Sequence, residues 1–251
     1  MDQRPIGFLD SGLGGLSVLS EALRQLPDEN YIYFGDTLNA PYGDKDPEEV
    51  SRLTHLAVDK LIAMDCKAIV IACNTATSCA AGQLRRELQL PIIGLEPALK
   101  PASLLPGEGK ILVMATHNTL RLPKFQALME LYGRDAIPVP CPGLMECVER
   151  GQLDGEEVDS LLHSILNPYL SEPVKAVVLG CTHYPFLREA IARFFPENVP
   201  LIDGNAGAIR QLKRRLEEEG LLGNHPKGSV TFLSSSENED TVRAMQRMLS
   251  R

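Results

Sequence analysis

The chain has 251 residues, 44% of them hydrophobic and 23% charged, which is room for one large or two ordinary soluble domains with a sizeable core. Its formal net charge of −8 argues against general affinity for nucleic acid or anionic membranes, though not against a small anionic substrate held by local donors. No apolar run reaches the roughly 20 residues of a membrane helix, no signal peptide is visible, and six cysteines without a C-x-x-C pair point to a reduced, cytoplasmic protein rather than a disulfide scaffold.

The first apolar run, Ile6 to Leu9, ends at Asp10, Ser11 and a glycine cluster. Leu16, Leu19, Leu23 and Leu26 then mark one face of a helix. Tyr31 to Phe34 reads as a second strand. Asp46-Pro47-Glu48-Glu49 has the form of a helix start, with Asp46 as N-cap, Pro47 at the first position and Glu49 completing a capping box. That helix is expected to bury Val50, Leu53, Ala57, Leu61 and Met64. A strand over 68–72, a helix over 75–88 and a strand over 92–95 follow. The segment 91–109 holds Pro91, Pro97, Pro101 and Pro106 and reads as a crossing between domains.

A second series then begins. It comprises a strand over 111–115, a helix over 120–132, a strand over 137–139, and helices over 144–149 and 156–170. A strand over 174–179, a helix over 185–195, a strand over 199–202 and a charged helix over 209–219 come next. A strand over 229–233 and a helix through Met248 close the chain. Such alternation predicts an α/β fold with mainly parallel sheets flanked by helices.

Two stretches echo one another. Lys67-Ala68-Ile69-Val70-Ile71-Ala72-Cys73-Asn74-Thr75 matches Lys175-Ala176-Val177-Val178-Leu179-Gly180-Cys181-Thr182-His183 in pattern. Ile6 to Asp10 aligns with Leu112 to Thr116 at nearly the same separation. We read a duplication into two similar domains, related by a pseudo-two-fold: residues 1–97 plus 208–251, and residues 98–207. Ligands of open α/β sheets sit at the carboxyl ends of strands. Asp10, Cys73, Thr116 and Cys181 all fall at such ends, so the active site is expected in the cleft between the domains.

A thiol at a helix start is biased toward thiolate and can serve as a base. Cys73 and Cys181 have that setting, with Asp10 and His183 as nearby groups able to hold a proton. Cys66, Cys79, Cys141 and Cys147 read as small buried hydrophobes. His55, His117, His163 and His225 stand apart from any candidate chemistry. Zinc bound by Cys181, His183, Cys73 and Asp10 is a competing reading, weakened by the lack of familiar ligand spacing. Gly12-Leu13-Gly14-Gly15 lacks the third glycine of a dinucleotide loop, though its N–H groups could hold a carboxylate. No G-x-S-x-G is present, and no lysine marks a pyridoxal-phosphate anchor.

Four blocks carry a resemblance: Phe8-Leu9-Asp10-Ser11-Gly12-Leu13-Gly14-Gly15-Leu16-Ser17, Pro41-Tyr42-Gly43, Ala72-Cys73-Asn74-Thr75-Ala76, and Gly180-Cys181-Thr182-His183-Tyr184-Pro185. Through them the chain resembles the glutamate racemases of the aspartate/glutamate racemase group. The resemblance implies cofactor-independent, metal-free interconversion of L- and D-glutamate by two cysteines, Cys73 acting on the D-enantiomer and Cys181 on the L-enantiomer. It implies that Asp10 and His183 assist the thiols. Ser11, Pro41, Tyr42, Gly43, Asn74, Thr75, Thr116, Thr119, Glu149 and Thr182 are implied as substrate-side residues. A cytoplasmic homodimer supplying D-glutamate for peptidoglycan is also implied, with no nucleic-acid or membrane partner. The family usually carries a proline about three residues before Glu149, where this chain has Glu146. Some members have a long N-terminal extension tied to activation by a cell-wall precursor; that activation is not expected here. Racemization of aspartate, or a two-lobed binding protein without turnover, are the alternatives.

Overall fold

The computed structural model describes residues 1–236 and 238–250. The chain divides into two compact units, Met1–Leu95 with the segment from Asn205 onward, and Glu96–Gly204.

The first unit holds five parallel strands: β1 (Ile6–Asp10), β2 (Tyr31–Gly35), β3 (Ala68–Ile71), β4 (Ile92–Gly94) and β9 (Val230–Ser234), in the order β4-β3-β1-β2-β9. Every residue of β1, β2 and β3 is buried, as expected for interior strands covered on both faces. Helices α1 (Leu16–Gln25), α2 (Pro47–Ala63), α3 (Asn74–Glu87), α10 (Asn205–Glu218) and α11 (Glu239–Leu249) flank the sheet. On one face Leu9, Ile69 and Ile71 pack with Val50, Leu53 and Leu61 of α2 and Ala80 and Leu84 of α3. Each fully buried aliphatic side chain there contributes roughly 1.5–3 kcal/mol.

Two expectations for α2 are corrected. Met64 lies beyond the helix end and is 37% exposed, because the chain turns away after Ala63. The Asp46 carboxylate accepts the Glu48 N–H at 2.9 Å, as an N-cap should, but Glu49 pairs with Arg52 at 2.8 Å in place of a reach-back to the cap.

In the second unit β5 (Lys110–Ala115), β6 (Ala136–Pro140), β7 (Val174–Leu179) and β8 (Leu201–Asp203) form a parallel sheet in the order β6-β5-β7-β8. Its helices are α4 (Leu99–Ser103), α5 (His117–Arg121), α6 (Pro123–Tyr132), α7 (Leu144–Glu149), α8 (Glu156–Leu166) and α9 (Arg188–Ala192). Prolines account for most departures from the expected spans. Leu122 is extended before Pro123, so one expected helix becomes α5 and α6. Pro168 turns the end of α8 into a 3₁₀ turn, and Pro185 sits in another, Tyr184–Leu187, that precedes α9. The helix read as starting at Ile209 begins at Asn205.

Strand for strand, β2-β1-β3-β4 of the first unit has the same order as β6-β5-β7-β8 of the second. The registers also correct the sequence alignment. Asp10 pairs with Gly35, and Ala115 with Pro140. The Asp36 N–H bonds the Asp10 carbonyl as the Cys141 N–H bonds that of Ala115. Asp10 therefore corresponds to Ala115, and Ser11 to Thr116, one residue out of step with the match of Asp10 to Thr116. Apolar strands tolerate a one-residue slip in alignment; hydrogen-bond registers do not.

Candidate active site

In the first unit the candidate residues gather where β1, β2 and β3 end. Cys73 follows β3 with extended backbone and caps α3, its Sγ accepting the Ala76 N–H at 3.5 Å. The sulfur is thus set at a helix N-terminus, which favours its anionic form. The Ser11 Oγ lies 3.9 Å from the Sγ. Asp10, fully buried at the end of β1, accepts the Gly12 N–H at 2.8 Å, which orients both the carboxylate and the start of the glycine loop. That loop must run close to the strands: a Cβ on Gly15 would come within 2.6 Å of the Asp10 Cβ and 3.0 Å of the Ala72 Cβ. Asn74 and Thr75 open α3 and are buried, and the Asn74 Oδ1 has no hydrogen-bond partner among the described residues.

Pro41, Tyr42 and Gly43 lie in the loop after β2, with Tyr42 and Gly43 in a 3₁₀ turn. Tyr42 is buried, and its hydroxyl donates to Asp36 Oδ2 at 2.6 Å. Burial, then the Asp36 carboxylate and the charges of Cys73 and Asp10, push the Tyr42 hydroxyl pKa up. The phenol therefore stays protonated and acts as a donor.

In the second unit Cys181 follows β7. Its setting differs from that of Cys73. No long helix starts there, only a turn and the 3₁₀ segment Tyr184–Leu187, so the expected dipole bias is absent. A side chain takes that place. The Cys181 Sγ lies 3.5 Å from His183 Nδ1, and His183 Nε2 lies 2.6 Å from Glu149 Oε1 on α7. Burial opposes a charged imidazole, yet the Cys181 sulfur and the Glu149 carboxylate outweigh it and raise the His183 pKa well above its ordinary value. The arrangement is a sulfur–imidazole contact backed by a carboxylate, with the proton held on the ring. Thr116 caps α5, accepting the Thr119 N–H at 3.3 Å, and its hydroxyl bonds that of Thr119 at 3.0 Å. Thr182 is buried beside Cys181.

The remaining thiols are placed differently. Burial pushes Cys66 and Cys79 up to about 11, and raises Cys141 and Cys147 as well, which keeps all four as thiols at neutral pH. Among the described residues no group of three His, Cys, Asp or Glu side chains is placed to hold a metal ion. Among them, no helix is long and apolar enough to cross a membrane.

The sequence pattern of the Asp/Glu/Hydantoin racemase family matches residues 9–212. The chain belongs to this racemase family. A glutamate racemase of Clostridium perfringens (strain SM101 / Type A) is 51% identical over 249 residues, covering 98% of this chain and 96% of that one. A glutamate racemase of Clostridium botulinum (strain Alaska E43 / Type E3) is 48% identical over 250 residues, covering 98% and 97%. Among solved structures, a glutamate racemase isoform of Bacillus anthracis superposes with a TM-score of 0.88 at 32% identity, covering 100% of this chain and 96% of that one. A glutamate racemase of Francisella tularensis subsp. tularensis SCHU S4, solved in complex with D-glutamate, superposes with a TM-score of 0.85 at 28% identity, covering 100% and 95%.

One residue of this racemase-family chain, and one contact, escaped the sequence reading. Asp36 is buried and receives both the Tyr42 hydroxyl and the Asn39 amide. Glu149, implied by the resemblance as a substrate-side residue, also meets His183, a contact that the sequence reading did not anticipate. Its only sequence signal is an acidic residue closing a short helix, which many surface residues share.

Proposed function

We propose that this chain is a glutamate racemase, interconverting L- and D-glutamate without a cofactor by proton transfer through Cys73 and Cys181. The observation that carries the reading is the recurrence of one arrangement in both units. In each, a buried thiol follows an interior parallel strand, and a buried ionisable group of the same unit stands near it: Asp10 on β1 beside the Cys73 loop, and His183 with Glu149 beside Cys181. The names of the relatives support glutamate as substrate.

In this reading one cysteine, as thiolate, removes the α-proton from one face of the substrate, and the other, as thiol, delivers a proton to the opposite face. Cys73 serves D-glutamate and Cys181 serves L-glutamate. The net change is inversion at one carbon, with the two thiols exchanging protonation states. The α-proton is weakly acidic, so oriented donors must stabilise the developing charge. Ser11, Thr75, Thr116, Thr119 and Thr182 supply hydroxyl and backbone donors. The buried Asn74 Oδ1 is an acceptor suited to an ammonium group. The Tyr42 hydroxyl is committed to Asp36, so the turn at Pro41 offers a carboxylate the N–H groups of Tyr42 and Gly43. The enzyme would act as a cytoplasmic homodimer supplying D-glutamate to peptidoglycan.

The test is incubation of metal-free, pyridoxal-free protein with D-glutamate in heavy water. Loss of optical rotation together with α-deuterium supports the reading. Absence of exchange with either glutamate or aspartate, in folded protein with reduced thiols, rejects it.

A further inference from the structure

The loop that follows β2 is held mainly by hydrogen bonds, not by burial. Leu38 is 67% exposed, and Thr37, Asn39 and Ala40 are half-buried. Yet this loop delivers Asp36 and Tyr42. On its inner side the Asn39 amide bonds both Asp36 oxygens, at 2.9 and 3.1 Å, and Tyr42 bonds the same carboxylate. On its outer side the loop is held by side chains at the end of β9. The Thr37 Oγ1 shares a hydrogen bond of 2.7 Å with the Ser234 Oγ, and the Leu38 N–H donates to the Ser235 Oγ at 3.0 Å.

These serines are themselves fixed. The Ser234 Oγ accepts the Ser236 N–H at 3.1 Å and shares a bond of 2.8 Å with the Ser236 hydroxyl, which donates to Thr241 on α11. The Ser235 N–H continues the strand by bonding the Gly35 carbonyl at 3.1 Å. A row of hydroxyls therefore runs from α11 across the end of β9 to the turn that carries Asp36.

We propose that Ser234 and Ser235 are positioning residues that hold the Asp36–Tyr42 loop where it receives the side-chain carboxylate of an acidic amino acid. The inference rests on the racemase reading and adds to it a part of the chain, the strand β9, that carries none of the candidate chemistry. Its chemical sense is that the substrate is gripped at two ends. The α-carbon is served at the end of β3, the far carboxylate at the loop after β2. A loop free to shift weakens the far grip without disturbing Cys73. Binding lost equally from ground and transition states raises KM and leaves kcat in place. The two enantiomers have equal free energy, so kcat/KM must fall by the same factor in both directions.

The experiment compares the wild type with the Ser234→Ala/Ser235→Ala double variant and with Ser234→Thr, which keeps the hydroxyl. KM and kcat are measured for D- and L-glutamate well below the melting temperature of each protein. The expected result is a KM for both enantiomers raised about three- to tenfold, the factor that one or two lost hydrogen bonds convert to. The kcat should stay within about twofold, and Ser234→Thr should match the wild type. An unchanged KM in the double variant overturns the inference, as does a loss confined to kcat or a Thr variant as impaired as the double variant. A wild type that turns over neither enantiomer overturns the underlying racemase reading instead.

Discussion

His183 and Glu149 meet at 2.6 Å, a carboxylate oxygen against the ring nitrogen that points away from Cys181. The contact turns an isolated thiol–imidazole pair into a three-member chain. It also gives the Nε2 proton an acceptor, since an ionised carboxylate can only accept. The imidazolium is favoured by folding, so its contribution to stability is complete below the ordinary histidine value of about 6.5 and is lost as the pH rises through the raised folded value.

Replacing Glu149 by Gln keeps an acceptor and removes the charge. The His183 proton should then be released at lower pH than in the wild type, visible as an acid-ward shift of its imidazole titration by NMR. The kcat/KM for glutamate should fall by roughly 10²-fold, the lower range for a perturbed general acid–base group. A His183 titration unchanged by the substitution would show that Cys181 alone holds the proton.

Single cysteine variants test whether the two thiols serve as separate bases. Cys73→Ala should lower racemization by about 10³-fold or more, yet leave Cys181 able to remove and return the α-proton of L-glutamate from one face. Deuterium should therefore enter L-glutamate without inversion, and D-glutamate should not exchange. Cys181→Ala should give the mirror result. Exchange of both enantiomers by either variant would contradict the assignment.

Gly15→Ala tests the close passage of the glycine loop. The new methyl would meet the Asp10 Cβ and the Ala72 Cβ, neither of which is the movable end of a long side chain. A loss of about 1–3 kcal/mol in urea unfolding is expected, accompanied by lower activity through displaced Asp10. A variant as stable and active as the wild type would mean that the loop has room to move.

Lys67 and Glu29 form an ion pair at 2.6 Å, with side chains 0% and 3% exposed, and further bonds to the Asp2 carbonyl and from the Gly223 N–H. Lys67→Met leaves the carboxylate buried without its partner and should cost about 3–5 kcal/mol. Changing Glu29→Leu as well should recover part of that loss, so urea unfolding of the single and double variants measures the pairing.

The sheets were legible because interior parallel strands are continuous apolar runs, and both cysteines were legible because they end such runs. Most of the helix boundaries that failed lie at Pro123, Pro168 and Pro185, where local backbone geometry overrides an apolar period that continues past them. The Glu149–His183 contact was illegible for another reason. It joins a short helix to a turn 34 residues away, and no local pattern encodes that meeting. The duplication itself misled by one residue, matching Asp10 to Thr116. Once the register is known, the second unit has Ala115 where the first has its acid, and its carboxylate comes from α7.

The strand β9 returns from the far end of the chain to cover the edge of β2. During synthesis the second unit, continuous in sequence, can complete its sheet while β2 still has one open edge. With one edge unpaired, a wholly buried strand such as Tyr31–Gly35 is a template for unwanted pairing until residues 230–234 emerge. Slow translation of the last stretch of the message would thus lengthen the interval in which the nascent chain is open to aggregation and in need of a chaperone.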